Sequence, residues 1–373
     1  MVTARNKEDY FWVALSFASL KSSQILRLIK VTGSAEKLWT LPDSELKKIL
    51  EAKNIQSEPY LEARKRVDLE AAIARIKSTK CKICTIADAD YPLLLAEVSD
   101  PPLVLYYWGE LKKEEMAVGI VGTRRATAYG LAVAEKLSEE LAGDGFTIVS
   151  GLARGIDSAA HRGALKCEGR TIAVLGSGLD KIYPPENKEL AQEIARKGCL
   201  LTEFPPGVPP LKQNFPQRNR IISGLSRGII VVEAGEKSGA LITVDFALEQ
   251  GRDVFAVPGP ITSDKSRGTN NLISEGARLI QSAADVLENY KMIKPLFKEE
   301  KLEAKEGLKL SPEERLVFSQ IGLEPVSYEE LLGLSGLTPQ ELTAVLILLE
   351  AEDYINSLPG QKYVTKKPKW NNG

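Results

Sequence analysis

Ala117-Val-Gly-Ile-Val-Gly-Thr-Arg-Arg125 is the stretch that decides the fold. Five apolar residues in a row, then glycine, a hydroxyl and two arginines, read as a buried strand ending in a tight turn. Outward from it the pattern repeats. Short apolar runs at 147–149, 171–175, 199–202, 228–232 and 253–257 are each followed by a glycine-containing loop and a helical segment. The runs are continuous rather than alternating, as strands buried on both faces should be. Strands alternating with helices predict a doubly wound, mainly parallel sheet of the extended Rossmann-like kind over 114–290.

The flanks differ. Residues 1–80 carry helical periodicity: Tyr10, Val13, Ala14, Phe17 and Leu20 share a face, and Gly33 stops one helix before Ser34 caps the next. They read as a small helical domain. Residues 81–113 read as a connecting segment broken by Asp90-Tyr-Pro92 and Asp100-Pro-Pro102, with one strand at 103–108. Residues 291–309, rich in Lys and Glu, read as a charged linker. The last stretch, 310–373, reads as a winged-helix domain: a helix starting at Ser311-Pro-Glu-Glu314, two capped helices, a hairpin, and a basic tail of Lys366, Lys367 and Lys369.

Lys and Arg number 49 against 50 Asp and Glu, so any polyanion must be held by a local basic groove and not by global charge. Four cysteines are too few for a disulfide scaffold, the N-terminus has no signal-type apolar core, and no apolar run of 18 residues occurs. A cytoplasmic protein with no membrane contact is expected.

In an open parallel sheet, ligands bind outside the carboxyl ends of the strands. There the loops carry Gly122, Arg124 and Arg125; Gly151, Arg154, Gly155 and Asp157; Gly176 and Gly178, with Lys188 beyond; Lys212, Arg218, Asn219 and Arg220; and Lys237, Ser238 and Gly239. Glycine lets backbone N–H groups approach an anion, helix N-termini add their dipoles, and Arg and Lys add charge-assisted contacts. Residues 212–228 hold four basic residues and no acidic one. Any one such loop is ordinarily just a tight turn; several on one edge, nearly all basic, point to phosphate.

The ligand class follows by elimination. Gly176-Ser-Gly178 has Lys181 where a dinucleotide fingerprint needs its third glycine, and Gly235-Glu-Lys-Ser-Gly239 lacks the order of a nucleoside-triphosphate loop. A nucleic-acid backbone remains. Phe204, Phe215 and Tyr183 could stack on bases, although loop aromatics more often belong to local core. Catalytic options are poor. His161 is the only histidine, and a Ser150/His161/Asp157 triad is imaginable but weaker than a satisfied helix histidine. Cys81-Lys-Ile-Cys84 has metal spacing without a second ligand pair, and Glu233 with Asp245 is a possible but simpler carboxylate pair. No catalytic residue, metal or cofactor is expected.

Gly122-Thr-Arg124, Ser150-Gly-Leu-Ala-Arg-Gly-Ile-Asp157, Leu175-Gly-Ser-Gly-Leu-Asp180, Tyr183-Pro-Pro-Glu-Asn187, Phe215-Pro-Gln-Arg-Asn-Arg220, Ser238-Gly-Ala-Leu-Ile-Thr243 and Val257-Pro-Gly259 resemble the DNA-processing protein A (Smf) family, in its order and spacing. The resemblance is strong over 90–290. It implies a non-enzymatic, cofactor-free core that binds single-stranded DNA, pairs as a homodimer and interacts with the RecA recombinase. It also implies help in displacing single-strand-binding protein, and protection of DNA during natural transformation. Residue by residue it assigns Arg124, Gly151, Gly155, Asp157, Arg218, Asn219, Arg220, Ser238 and Gly239 to the family's loops, and places Lys188 and Lys212 at positions often basic there. The N-terminal domain is similar to the family's variable sterile-alpha or helix-hairpin-helix module. Two rival readings stand beside it. A nucleotide phosphoribohydrolase of the lysine-decarboxylase-like family would show P-G-G-x-G-T-x-x-E, which is missing at 233–243. A winged-helix regulator of duplex DNA expects a basic recognition helix, and 337–350 holds no Lys or Arg.

Overall fold

The computed structural model describes residues 7–18, 20–291, 311–322, 325–351, 354–358 and 360–365. The linker expected at 291–309, Lys291 apart, and the basic tail lie outside these residues. The chain divides into two compact units, 1–297 and 298–373.

The first unit opens with six helices: α1 (Lys7–Ser16), α2 (Ser22–Thr32), α3 (Ala35–Thr40), α4 (Asp43–Ala52), α5 (Ser57–Arg66) and α6 (Leu69–Thr79). Gly33 ends α2 in the left-handed region and Ser34 caps α3 by accepting from the Lys37 amide, as the sequence predicts. Then come β1 (Lys82–Thr85), α7 (Leu93–Ala96) and β2 (Val104–Gly109). Next are β3 (Ala117–Val121), α8 (Ala128–Gly143), β4 (Thr147–Ser150), α9 (Ile156–Lys166) and β5 (Thr171–Val174). The order continues with α10 (Lys188–Lys197), β6 (Cys199–Thr202), α11 (Asn214–Gly224), β7 (Gly228–Val231), α12 (Gly239–Glu249) and β8 (Asp253–Ala256). It ends with α13 (Arg267–Ser274), β9 (Arg278–Leu279) and α14 (Ala283–Asn289).

The nine strands form one sheet in the order β1-β2-β6-β5-β4-β3-β7-β8-β9, parallel from β6 to β9. Helices cover both faces because the central strands are buried on both. Val118 and Ile120 of β3 pack with α8 and α9, while Ala117 and Val121 pack with α11 and α12. The strand order turns back between β3 and β7, which creates the crevice where this class of sheet binds ligands.

The stretch 81–113, read from sequence as a connecting segment with one strand at 103–108, contributes a second strand as well. β1 pairs antiparallel with β2, and β2 runs antiparallel to β6, with Tyr106 opposite Thr202. This edge fastens the helical module to the sheet. Tyr106, Val104 and Leu200 share a core with Leu28, Leu38, Leu46 and Tyr60, and the Trp108 indole donates to the Thr79 carbonyl oxygen at 3.3 Å.

The second unit contains α15 (Pro312–Gln320), β10 (Val326–Ser327), α16 (Tyr328–Ser335), α17 (Pro339–Ala351), β11 (Ile355–Leu358) and β12 (Lys362–Thr365). Three helices and a β10-β12-β11 sheet make a winged helix around Val317, Leu331, Leu342, Leu346 and Ile355. Among the described residues, no single helix is long and apolar enough to cross a membrane.

Candidate nucleic-acid interface

Two layers of charged and aromatic side chains meet at the carboxyl ends of β3, β4, β5 and β7. The lower layer is buried. Arg218, on α11, reaches under the edge and donates to the backbone carbonyls of Gly151 at 2.6 Å and of Val174. A Cβ at Gly151 would collide with that guanidinium, so glycine is required by close approach. Asp157 is buried beside Arg218; burial pushes its carboxyl up, against the pull of Arg218. Burial pushes the Arg218 guanidinium down to about 10, opposed by the Asp157 charge and helped by repulsion from Arg124.

The loop after β3 is stitched down from two sides. The Thr123 amide donates to the Glu233 backbone carbonyl at 2.7 Å, and the Glu233 carboxylate accepts from the Thr127 amide at 2.9 Å and from the Thr127 hydroxyl. Gly155, at φ +76°, caps α9 where a side chain would strike the Thr123 carbonyl oxygen. A Cβ at Gly122 would stand 2.6 Å from Ile156. These glycines serve close backbone packing, which fixes the loop that carries Arg124.

The upper layer is open to solvent. Arg124 and Arg125 are exposed, and the Arg124 guanidinium lies 5.3 Å from the centroid of the Phe215 ring. The Tyr183 ring packs against Phe215 at 5.7 Å between centroids, and Tyr183 is 39% exposed. Phe215 rests on Gly176, where a Cβ would sit 2.9 Å from its ring. Arg124, Phe215 and Tyr183 thus form a cation-and-aromatic ridge across the sheet edge. Lys212 is exposed just before α11.

The predicted site residues divide accordingly. Arg218 and Arg220 do not reach the surface. Arg220 is 8% exposed and forms a buried pair with Glu203, whose carboxyl burial pushes up against the pull of that arginine. Both guanidiniums are engaged by groups far away in sequence, so neither is a free phosphate ligand here. Asn219 lies between them, accepting from Arg218 Nε at 3.2 Å and donating to the Gly239 carbonyl oxygen at 3.3 Å. Arg154 is exposed but paired with Glu186. Lys237 and Gly239 are exposed around Ser238, which caps α12. Lys188 opens α10, away from the ridge, where it lines a separate groove.

The imagined triad does not form. The Ser150 hydroxyl donates to the Ile120 carbonyl oxygen at 2.6 Å, and His161 Nδ1 pairs with the Thr171 hydroxyl at 2.7 Å. Thr171 donates its own proton to the Ile148 carbonyl oxygen, so the imidazole carries its proton on Nδ1 and presents an unpartnered, buried Nε2. Burial, then Arg218, pushes its pKa down to about 3. Glu233, considered as half of a carboxylate pair, is instead held by Thr127.

Sequence reasoning missed the Trp108–Arg196 groove and the position of Arg75, on α6, beside the Gly207 turn. The groove's only sequence signal was the i, i+4, i+8 stripe of Lys188, Gln192 and Arg196 on an amphipathic helix.

Comparison with known proteins places the chain among relatives of one family. Residues 82–291 match the family model of DNA recombination-mediator protein A, and residues 303–361 match the DprA winged helix domain. The chain is 35% identical to Protein Smf of Synechocystis sp., over 96% of this chain and 99% of that one. It is 46% identical to the DNA processing protein DprA of Bacillus subtilis, over 59% of this chain and 75% of that one. The crystal structure of DprA from Streptococcus pneumoniae is 39% identical, with a TM-score of 0.67, covering 77% of this chain and 98% of that one. The Helicobacter pylori protein, described for its unique single-stranded DNA binding mode, is 33% identical with a TM-score of 0.51, covering 56% and 95%.

Proposed function

Because this chain belongs to the DNA recombination-mediator protein A family, the DNA processing proteins called DprA or Smf, we propose that it binds single-stranded DNA along the ridge and passes the strand to RecA. The observation that carries this reading is the Arg124–Phe215–Tyr183 ridge: an exposed guanidinium for a phosphate beside an exposed aromatic surface for bases. A duplex keeps its base faces stacked inside, so an aromatic ridge selects unpaired strands. Arg125, Lys212 and Lys237 extend the positive charge, and the exposed N-terminus of α12 at Ser238 and Gly239 offers amides to a further phosphate. Arg154 joins them when Glu186 releases it.

In this reading Gly122, Gly151, Gly155, Arg218, Asn219 and Arg220 shape the edge and do not touch the strand. Two protomers, each with one such edge, would hold a strand at two places and gain avidity. The protein would work in the cytoplasm, without a cofactor and without turnover, on DNA entering by transformation or exposed in recombination. It would help RecA to replace single-strand-binding protein.

The test is a fluorescence-anisotropy titration of a labelled dT oligomer and of the matching duplex. Tight, salt-sensitive binding to the single strand with little to the duplex is expected, and equal binding to both would overturn the reading. RecA transfer is checked separately: the protein should speed the onset of RecA ATP hydrolysis on DNA already coated with single-strand-binding protein. An unchanged lag would remove RecA loading and leave strand binding standing.

A further inference from the structure

A second groove of about 410 Å³ runs from the loop after β5 along α10 to the start of β6, and it is lined by residues from four parts of the fold. Trp108 of β2, Leu179 and Ile182 of the loop after β5, and Leu200 of β6 supply apolar surface. The helix α10 supplies Lys188, Gln192 and Arg196, and Asp180 closes the end. Spaced at i, i+4 and i+8, the three α10 residues share one helix face, and its outer cations stand about 12 Å apart along the axis. Lys188 and Arg196 are exposed, and neither is in an ion pair among the described residues.

One end of the groove adjoins the ridge. Ile182 lines the groove and the next residue, Tyr183, packs on Phe215. At the other end of the loop, Gly176 supports Phe215 while Leu179 and Asp180 line the groove. Beyond Asp180 the chain of contacts runs on. Asp180 accepts from the Gly207 amide at 2.8 Å, and a Cβ at Gly207 would stand 2.6 Å from an Arg75 guanidinium nitrogen. Exposed cations therefore flank both sides of the loop that separates the ridge from the groove.

Resting on the strand-binding reading, we propose that the groove between Trp108 and α10 is a second subsite for the same single strand. It receives a base against Trp108 and Ile182 while Lys188 and Arg196 hold the flanking phosphates. The apolar floor suits a base face, two unpaired cations at the rim suit a polyanion, and Gln192 and Asp180 offer polar groups to a base edge. The chemistry also explains why Lys188 stands apart from Arg124: the two cations serve successive stretches of one strand.

The experiment compares the full-length protein with the double variant Lys188→Ala, Arg196→Ala on dT oligomers of about 5 and about 15 nucleotides, at two salt concentrations. Both substitutions are on exposed positions, and thermal melts check that the fold is kept. The short oligomer should bind both proteins equally, because it fills the ridge alone. The long oligomer should bind the variant roughly tenfold more weakly, with a salt slope lower by about 1.4 for two lost phosphate contacts. In the wild-type protein, bound long oligomer should quench tryptophan emission, and Trp108→Phe should abolish most of that quench. Equal affinity and slope for wild type and variant at both lengths would overturn the subsite while leaving the ridge intact. Absence of wild-type binding to either oligomer would overturn the reading beneath it as well. A variant weakened equally on both lengths would also contradict it, since it would place Lys188 and Arg196 at the ridge.

Discussion

Arg124 and Arg218 stand at the same sheet edge and behave oppositely. Arg218 is 3% exposed, engaged by two backbone carbonyls and faced by a buried carboxylate. Arg124 is exposed, with an aromatic ring beside it. An arginine-rich, glycine-rich edge therefore has two layers with separate duties. The lower layer fixes backbone geometry and is paid in stability; the upper layer keeps its charge available and is read out in binding.

Substitutions should separate the layers. The largest effect is expected from Arg218→Ala, which leaves Asp157 buried without its counter-charge and two carbonyls without donors. It should destabilise the protein by about 3–5 kcal/mol in urea titrations. A stable Arg218→Ala protein that had lost only DNA binding would move Arg218 into the upper layer.

Next comes pH. His161 is depressed to about 3 in the fold against 6.5 when free, so below 6.5 the unfolded chain gains a proton that the folded chain refuses. Its contribution is full above pH 6.5 and falls as pH drops toward about 3, by up to about 1.4 kcal/mol per pH unit. Burial raises Asp157 and Glu203 and works the other way, so the check is the difference between wild type and His161→Asn. Stability of the variant should depend less steeply on pH between about 6 and 4; identical slopes would mean that His161 is not held neutral by the lower layer.

Phe215→Ala should weaken binding to dT oligomers by about 1–3 kcal/mol through lost stacking, with the salt slope unchanged. A changed slope would show that Phe215 acts by positioning Arg124. Smallest of all is Arg154→Ala. Its partner Glu186 is exposed, and the melting temperature should not move measurably. Any large drop would mean that this pair belongs to the lower layer.

Much of this was legible in the sequence. The apolar runs fixed the parallel strands, because continuous burial leaves a local signature, and Gly33–Ser34 marked a helix junction. The loops were placed on one edge by topology alone. The fate of each arginine was not legible. Arg218 finds its partners 67 and 44 residues away, and Arg220 finds Glu203 on another loop. Arg218 and Arg220 flank a single asparagine in sequence, yet α11 turns both arginines inward. The strand 82–85 escaped notice because its four residues, Lys-Ile-Cys-Thr, are too few to show a period, and its pairing with β2 is fixed by the fold. The groove at Trp108 left only the α10 stripe as a signal, because its walls come from residues 108, 179–182 and 188–200, brought together by the fold.

The most direct test of the two-layer account is the salt dependence of dT-oligomer binding by wild type and Arg124→Ala, both checked to be equally stable. The account predicts weaker binding by the variant, a slope lower by about 0.7–1, and an unchanged melting temperature. A slope identical to wild type, or a loss of binding that tracks a loss of stability, would contradict it.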